Sequence, residues 1–391
     1  MADADFSQAQ DWTFPVPIAY GPGRLAELGE ICRAQGASNP LIVTDRASRD
    51  LPFVQGALDA LRGAGLSADV FSEVSPNPTD KDAFAGVAVF RAGGHDAVVA
   101  LGGGSGMDAG KAVSLLAGRD DDLWVFDYDL SVDESLTAAD FPPLICIPTT
   151  AGTGAETEST AMITDTAALT KRCIWHPTQK PRVALLDPEL TYGLPKHLTA
   201  WTGIDALVHA IEAYSVPGLH PLCDGMALQG LGLVWRWLPE ALAEPTSVQA
   251  RGGMLVGSCL AGISFLKGLG HVHAISHMVG AEYDTQHGLT NAVILPAVLR
   301  YNADAIADKV LPMSQAMGLE TTDFEGLHAA ICGRLDACEI PTALAALGIE
   351  EDAVPRLATK ALGDAAAGTN PRASTQAEME ALIREALVAA R

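Results

Sequence analysis

Half of the ten histidines in this 391-residue chain fall in two short stretches. Asp205 and His209 stand four apart. His271, His273, His277 and His287 follow within His-Val-His-Ala-Ile-Ser-His-Met-Val-Gly-Ala-Glu-Tyr-Asp-Thr-Gln-His. On a helix, a four-residue spacing puts two side chains on one face, and His273 and His277 repeat it. One carboxylate and several imidazoles form a donor set for Fe²⁺ or Zn²⁺, with a position left open for a substrate oxygen. An ion so held acts as a Lewis acid, lowering an alcohol's pKa and steadying the alkoxide from which a hydride leaves. Any one of these residues alone reads as packing or surface. The two clusters together read as a metal centre.

A second constellation lies earlier, in Gly102-Gly-Gly-Ser-Gly-Met-Asp-Ala-Gly-Lys111, between a strand pattern and a helix pattern. Its glycines let backbone amides approach a ligand closely, and the helix N-terminus adds partial positive charge, which together suit a pyrophosphate. The spacing matches neither the dinucleotide fingerprint G-x-G-x-x-G nor a Walker A loop, and a tight strand-to-helix turn is the bland alternative. The candidate cofactor contacts here are Gly102, Gly103, Gly104, Ser105 and Asp108. Thr149-Thr-Ala-Gly-Thr-Gly154 is a second small loop, whose Thr149, Thr150 and Thr153 offer hydroxyl and amide donors to the same ligand. Asp45 closes a strand pattern where a carboxylate accepts hydrogen bonds from a ribose diol. Its charge repels a 2′-phosphate, so NAD is favoured over NADP; a simple turn cap is the competing role.

The elements that must position these residues follow from periodicity. Residues 40–44, 68–72, 97–101 and 144–147 read as strands, and residues 53–61 and 79–92 as helices between them. That alternation predicts an α/β dinucleotide-binding domain with a doubly wound, Rossmann-like parallel sheet over residues 1–190. Beyond the Asp187-Pro-Glu-Leu-Thr-Tyr-Gly-Leu-Pro loop the texture turns Ala- and Leu-rich, with helices expected at 204–214, 227–242, 250–265, 274–283, 357–362 and 376–390. An all-helical metal-binding domain is therefore expected over 191–391.

Composition narrows the partners. There are 48 acidic against 25 basic residues, a net charge of −23, which repels nucleic acid and anionic membrane and leaves a small-molecule substrate. No apolar run approaches the roughly 20 residues of a membrane span. The segment Met1 to Asp11 is acidic and lacks the features of a signal peptide, so a cytoplasmic location is expected. Seven cysteines without a CxxC pair read as reduced core thiols.

The motifs then coincide with a known family. Tyr20-Gly-Pro-Gly23, Val43-Thr-Asp45, Pro76-Asn-Pro-Thr79, the Gly102–Lys111 turn, Pro148 to Gly154, Asp187 to Thr191, Gly203-Ile-Asp-Ala-Leu-Val-His209 and the stretch from Gly270 to Pro296 occur in the same order. Over nearly its full length the chain resembles the iron-containing (group III) alcohol dehydrogenases. The resemblance implies Asp205, His209, His273 and His287 as metal ligands, and His277 as an active-site histidine near the nicotinamide that assists proton transfer. His271 is left as an unassigned neighbour. It implies cofactor contacts at Gly102 to Ser105, Thr149, Thr150 and Lys171. It further implies a metal-dependent, NAD-linked alcohol dehydrogenase or aldehyde reductase, with hydride passing between nicotinamide C4 and a metal-bound alcohol or aldehyde in an interdomain cleft. A homodimer joined through N-terminal strands, or a larger homo-oligomer, is expected too. The alternatives within the family are a hydroxyacid–oxoacid transhydrogenase and a maleylacetate reductase. Their carboxylate substrates need cations, for which Lys171, Arg172 and Lys267 are the candidates. A sugar-phosphate cyclase (a lyase) is disfavoured by the scarcity of basic residues near the histidines. A non-catalytic NAD- or metal-binding protein is disfavoured by the intact donor set.

Overall fold

The computed structural model describes residues 16–388; the acidic segment Met1 to Asp11 that bears on the signal-peptide expectation lies outside them, as do residues 389–391. By their contacts the described residues form two compact units, 16–194 and 195–388.

The first unit contains eight strands: β1 (Ile18–Tyr20), β2 (Pro40–Asp45), β3 (Asp69–Val74), β4 (Ala97–Gly102), β5 (Leu144–Pro148), β6 (Ala161–Asp165), β7 (Thr170–Ile174) and β8 (Val183–Leu186). All but β6 and β7 form one parallel sheet in the order β1-β8-β5-β4-β2-β3. The central strands are apolar over most of their length because both faces are covered. Alternate residues go to opposite cores: Leu41, Val43, Val98, Ala100, Leu144 and Cys146 to one, Ile42, Val99, Leu101, Ile145 and Ile147 to the other. Helices α1 (Leu28–Ala34) and α2 (Pro52–Gly63) share the second core, while α3 (Asp80–Ala92) and α4 (Gly104–Leu116) share the first. Each fully buried Leu, Ile or Val contributes about 1.5–3 kcal/mol. Thr79, expected inside a helix, is instead the N-cap of α3. Its side chain accepts from Asp82 N while Asp82 accepts from Thr79 N, which completes a capping box.

Strand order places a topological switch at β2 and β4. The chain leaves β2 for β3 on one side, then crosses to β4 on the other. Crevices at the carboxyl ends of strands flanking such a switch are where open α/β sheets bind ligands. The antiparallel hairpin β6–β7 is absent from the sequence reading. Thr170, Lys171 and Arg172 interrupt the apolar alternation that marks a strand.

The second unit is mostly helical, and no strand is described in it. Its helices are α5 (Lys196–Ser215), α6 (Pro221–Ala243), α7 (Val248–Ser264), α8 (His271–Tyr283), α9 (His287–Asn302), α10 (Ala307–Ala316), α11 (Phe324–Ala337), α12 (Val354–Leu362) and α13 (Gln376–Val388). Several expected boundaries move, among them α5, which starts at Lys196 and not at residue 204. Helix α6 starts at Pro221, well before residue 227, because His220 caps it by accepting from Cys223 N. Helix α8 starts at His271, before residue 274, because side chains from distant segments receive its first N–H groups. Helices α9, α10 and α11 lie outside the expected set; α9 and α10 carry internal prolines, Pro296 and Pro312, that break the sequence signal. Among the described residues no single helix is long and apolar enough to cross a membrane. None of the seven cysteines is in a disulfide, and five of them are buried.

Candidate active site

Three helices bring four donor side chains together. Asp205 and His209 come from α5, His273 from the first turn of α8, and His287 opens α9. One donor atom from each lies within 4.8 Å of all the others, and Asp205, His209 and His273 are buried. The His209 and His273 rings stack at 4.6 Å, His273 and His287 lie 5.3 Å apart, and His287 Nε2 is 3.7 Å from Asp205 Oδ1. The approach of α9 to α5 depends on Gly288: a Cβ there would sit 2.4 Å from the Trp201 carbonyl oxygen and 3.0 Å from Asp205 Cβ.

Asn291, one helical turn after His287, faces this cluster. Its Nδ2 donates to Asp205 Oδ1 (2.7 Å) and lies 3.2 Å from His273 Nε2 and 3.1 Å from His287 Nε2. Its Oδ1 is buried without a hydrogen-bond partner. Glu212 backs the same cluster from behind, its Oε2 accepting from His273 Nδ1 at 2.6 Å. His277 stands beside the four donors, its ring stacked on His287 at 5.4 Å and its Nδ1 held by Asp364 Oδ2 at 2.9 Å. His271 is buried apart from the donor set against Tyr301, and burial lowers its pKa.

The sequence reading omits Glu212, Asn291 and Asp364. Two of them left a signal. Glu212 lies three residues after His209 and Asn291 four after His287, both on the donor-bearing face. Asp364 is 87 residues from its histidine and left none.

In the first unit, Asp45, Gly102 and Thr149 stand at the carboxyl ends of the adjacent strands β2, β4 and β5. A Cβ on Gly102 would lie 3.4 Å from Asp45 Oδ2, and Thr149 N donates to Gly102 O at 2.9 Å. The turn runs close beneath the second loop: a Cβ on Gly104 would sit 2.8 Å from Thr153 Cγ2, and one on Gly103 3.3 Å from Thr150 Cγ2. The hydroxyls of Thr44, Thr150 and Thr153 are buried there with no partner. Asp45 also accepts from Ser48 N and Oγ, so the capping role weighed for it is present as well.

Ser105 follows in the first turn of α4. Asp108 and Lys171 have other engagements. Asp108 accepts from Met162 N at 3.2 Å and so ties α4 to the hairpin, while Lys171 Nζ donates to Asn77 Oδ1 at 3.1 Å.

Behind the second loop, burial pushes the Glu158 carboxyl up to about 7, against the opposing pull of Lys111 and Lys180. A carboxyl with a raised folded pKa stabilises fully below its unfolded value near 4.3. That contribution, up to about 3 kcal/mol, is lost as pH rises to about 7. Glu158→Gln is therefore expected to melt above wild type by a margin that opens between pH 4.5 and 7 and then holds level. Thermal melts across that range check it, and a pH-independent margin would count against it.

Two family models cover almost the whole chain: iron-containing alcohol dehydrogenase over residues 15–188, and Fe-containing alcohol dehydrogenase family, C-terminal, over residues 199–387. The chain belongs to the iron-containing alcohol dehydrogenase family. It is 38% identical to the 1,3-propanediol dehydrogenase of Klebsiella pneumoniae, covering 96% of this chain and 98% of that one. It is 35% identical to the NAD-dependent methanol dehydrogenase of Bacillus methanolicus, covering 95% and 98%. The crystal structure of a 1,3-propanediol oxidoreductase superposes with a TM-score of 0.91 at 36% identity, covering 97% of this chain and all of that one. As an iron-containing alcohol dehydrogenase the chain is an NAD-linked oxidoreductase of alcohols and aldehydes. Membership in this family implies NAD and a metal, and the Asp/His cluster in the second unit is in keeping with the latter.

Proposed function

We propose that Asp205, His209, His273 and His287 hold one divalent ion, Fe²⁺ in preference to Zn²⁺, and that the first unit holds NAD. The observation that carries the metal reading is the convergence of four donor atoms within 4.8 Å in a largely buried setting. Three imidazoles and a carboxylate suit either ion. NAD fits the glycine turn because a Cβ at Gly104 would meet Thr153, and because the buried hydroxyls of Thr150 and Thr153 lack partners. Gly102, Gly103, Gly104, Ser105, Thr149, Thr150 and Thr153 would cradle the pyrophosphate, and Asp45 the ribose diol. Asp108 and Lys171, engaged with Met162 N and Asn77 Oδ1, are left out of this cradle.

When bound, the ion supplies a Lewis acid for the substrate oxygen and the nicotinamide a hydride acceptor or donor. The chain's own residues do the rest. Asp364 accepts from His277 Nδ1, which fixes the ring and leaves Nε2 as the atom that holds or passes a proton. Burial of Asp205, His209 and His273 excludes bulk water from around the reacting oxygen.

Primary alcohols and their aldehydes are favoured over hydroxyacids. The three cations that a carboxylate would need are committed elsewhere: Lys171 to Asn77, Arg172 to Asp127 and Asp165, and Lys267 to Asp224 at 2.6 Å, with the Lys267 side chain only 4% exposed. Seven mostly buried cysteines, none of them in a disulfide, support a cytoplasmic enzyme. The exposed side chains of Ile18 and Tyr20 on the edge strand β1 support pairing with a second copy.

The test is NADH formation by anaerobically purified protein with 1,3-propanediol, methanol, longer primary alcohols and hydroxyacids, after chelation and again after adding back Fe²⁺ or Zn²⁺. Turnover of alcohols that chelation removes and Fe²⁺ restores best is expected. Turnover indifferent to the chelator, or confined to hydroxyacids, overturns the proposal.

A further inference from the structure

Glu212 is a buried carboxylate with two neighbours of different kinds. It sits on α5 one turn beyond His209, and its Oε1 accepts from Val272 N at 2.7 Å. Its Oε2 accepts from His273 Nδ1 at 2.6 Å and from His273 N at 3.4 Å. One carboxylate therefore receives two of the free N–H groups at the start of α8, where helix polarity favours negative charge, together with a ring N–H of a candidate metal ligand. Asn370 Oδ1 takes a third N–H, that of His271, at 3.1 Å.

The ring contact has a chemical consequence. A carboxylate accepts only, so Nδ1 must carry the proton and Nε2 must present its lone pair. That lone pair is the one toward which Asn291 Nδ2 points from 3.2 Å, inside the four-donor cluster. A histidine that ligates a metal is commonly oriented this way by a carboxylate on its other nitrogen. Resting on the reading that the four donors hold an ion, we infer that Glu212 is a positioning residue of the metal centre. It fixes His273 in the tautomer that can ligate, and it adds a second negative charge, beside Asp205, to a buried site for a dication.

Glu212→Gln tests this sharply, because the amide keeps the shape and loses the chemistry. With Gln Oε1 on Val272 N, its NH₂ faces His273 Nδ1 and drives the ring proton to Nε2, which closes the lone pair. Flipped, the NH₂ confronts Val272 N, donor against donor. Asn370→Ala serves as the comparison, since it weakens the same helix start without touching His273.

The measurement is Zn²⁺ affinity of the metal-free full chain by chelator competition, without NAD, alongside circular dichroism. E212Q is expected to bind about 10- to 100-fold more weakly than wild type, and N370A to stay close to wild type. Equal affinity for E212Q and wild type overturns the role of Glu212, and so does an equal loss in N370A, which would make Glu212 a helix cap and nothing more. Wild type that takes up no ion overturns the metal-site reading along with it.

A second measurement needs no variant. Metal-free wild type labelled with ¹⁵N-histidine, at pH 8, must show His273 protonated at Nδ1 and bare at Nε2; the opposite tautomer overturns the inference.

Discussion

Asp205→Asn is expected to leave the protein folded and to lower kcat/KM for alcohol oxidation by at least about a thousandfold, since Lewis-acid stabilisation is worth several kcal/mol and each 1.4 kcal/mol is tenfold. Asp205 supplies the one carboxylate among the four donors. Asparagine keeps its volume and can still accept from Asn291 Nδ2, which now bonds Asp205 Oδ1 at 2.7 Å, so the helices should stay in place. What disappears is the negative charge that, on the proposed reading, draws a dication to the four donors. Metal content by mass spectrometry should drop in step with NADH formation, and raising the free metal concentration should restore only part of the rate. A metal-free variant turning over at the wild-type rate would remove the centre from the mechanism.

Gly288→Ala should do nearly as much damage from a position that offers no functional group. The added methyl would lie 2.4 Å from a backbone oxygen of α5, and a backbone atom cannot swing aside. Overpacking of this kind costs about 1–3 kcal/mol, which in a unit of this size lowers Tm by roughly 2–4 °C per kcal/mol. The larger effect falls on the ion, because pushing α9 off α5 carries His287 away from Asp205. Gly333→Ala in α11 is the matched control, as its Cβ meets nothing within 4 Å. It should hold or slightly raise Tm, by the helix preference of alanine over glycine. Calorimetry and metal titration on both variants separate the cases. Equal behaviour would mean that α9 can shift without cost.

How much could be read in advance depended on how local each determinant is. The apolar strands β2, β4 and β5 announce themselves because each is a continuous run buried on both faces. The Gly102 turn is visible because its glycines are consecutive. Asp205, His209, His273 and His287 stand out because their types are rare and their spacings helical. Determinants that act across the chain left weaker traces. The true start of α8 is set by Glu212 and Asn370, which lie 60 and 99 residues from the N–H groups they receive. The β6–β7 hairpin is tied to α4 by Asp108, which accepts from Met162 N, and by Lys111, whose buried Nζ donates to Thr160 O just before β6, so part of its support is written outside its own sequence. Lys267 shows the reverse case. Its charge made it a candidate for binding a substrate carboxylate, and only the fold reveals that Asp224 already occupies it.

The anchoring of α8 from the far end of the chain also bears on how the protein is made. The four donors lie between residues 205 and 287 and leave the ribosome as one stretch. Asn370, which holds the first N–H of α8, and Asp364, which holds His277, emerge about 80 residues after His287. A nascent chain thus carries all four candidate donors before it carries the side chains that complete the surroundings of α8. At typical rates of about 5–20 residues per second, several seconds separate the two events. During that interval the four side chains are present while His271 N lacks its Asn370 acceptor and His277 its Asp364 partner, and α8 reaches its final form only when that segment docks.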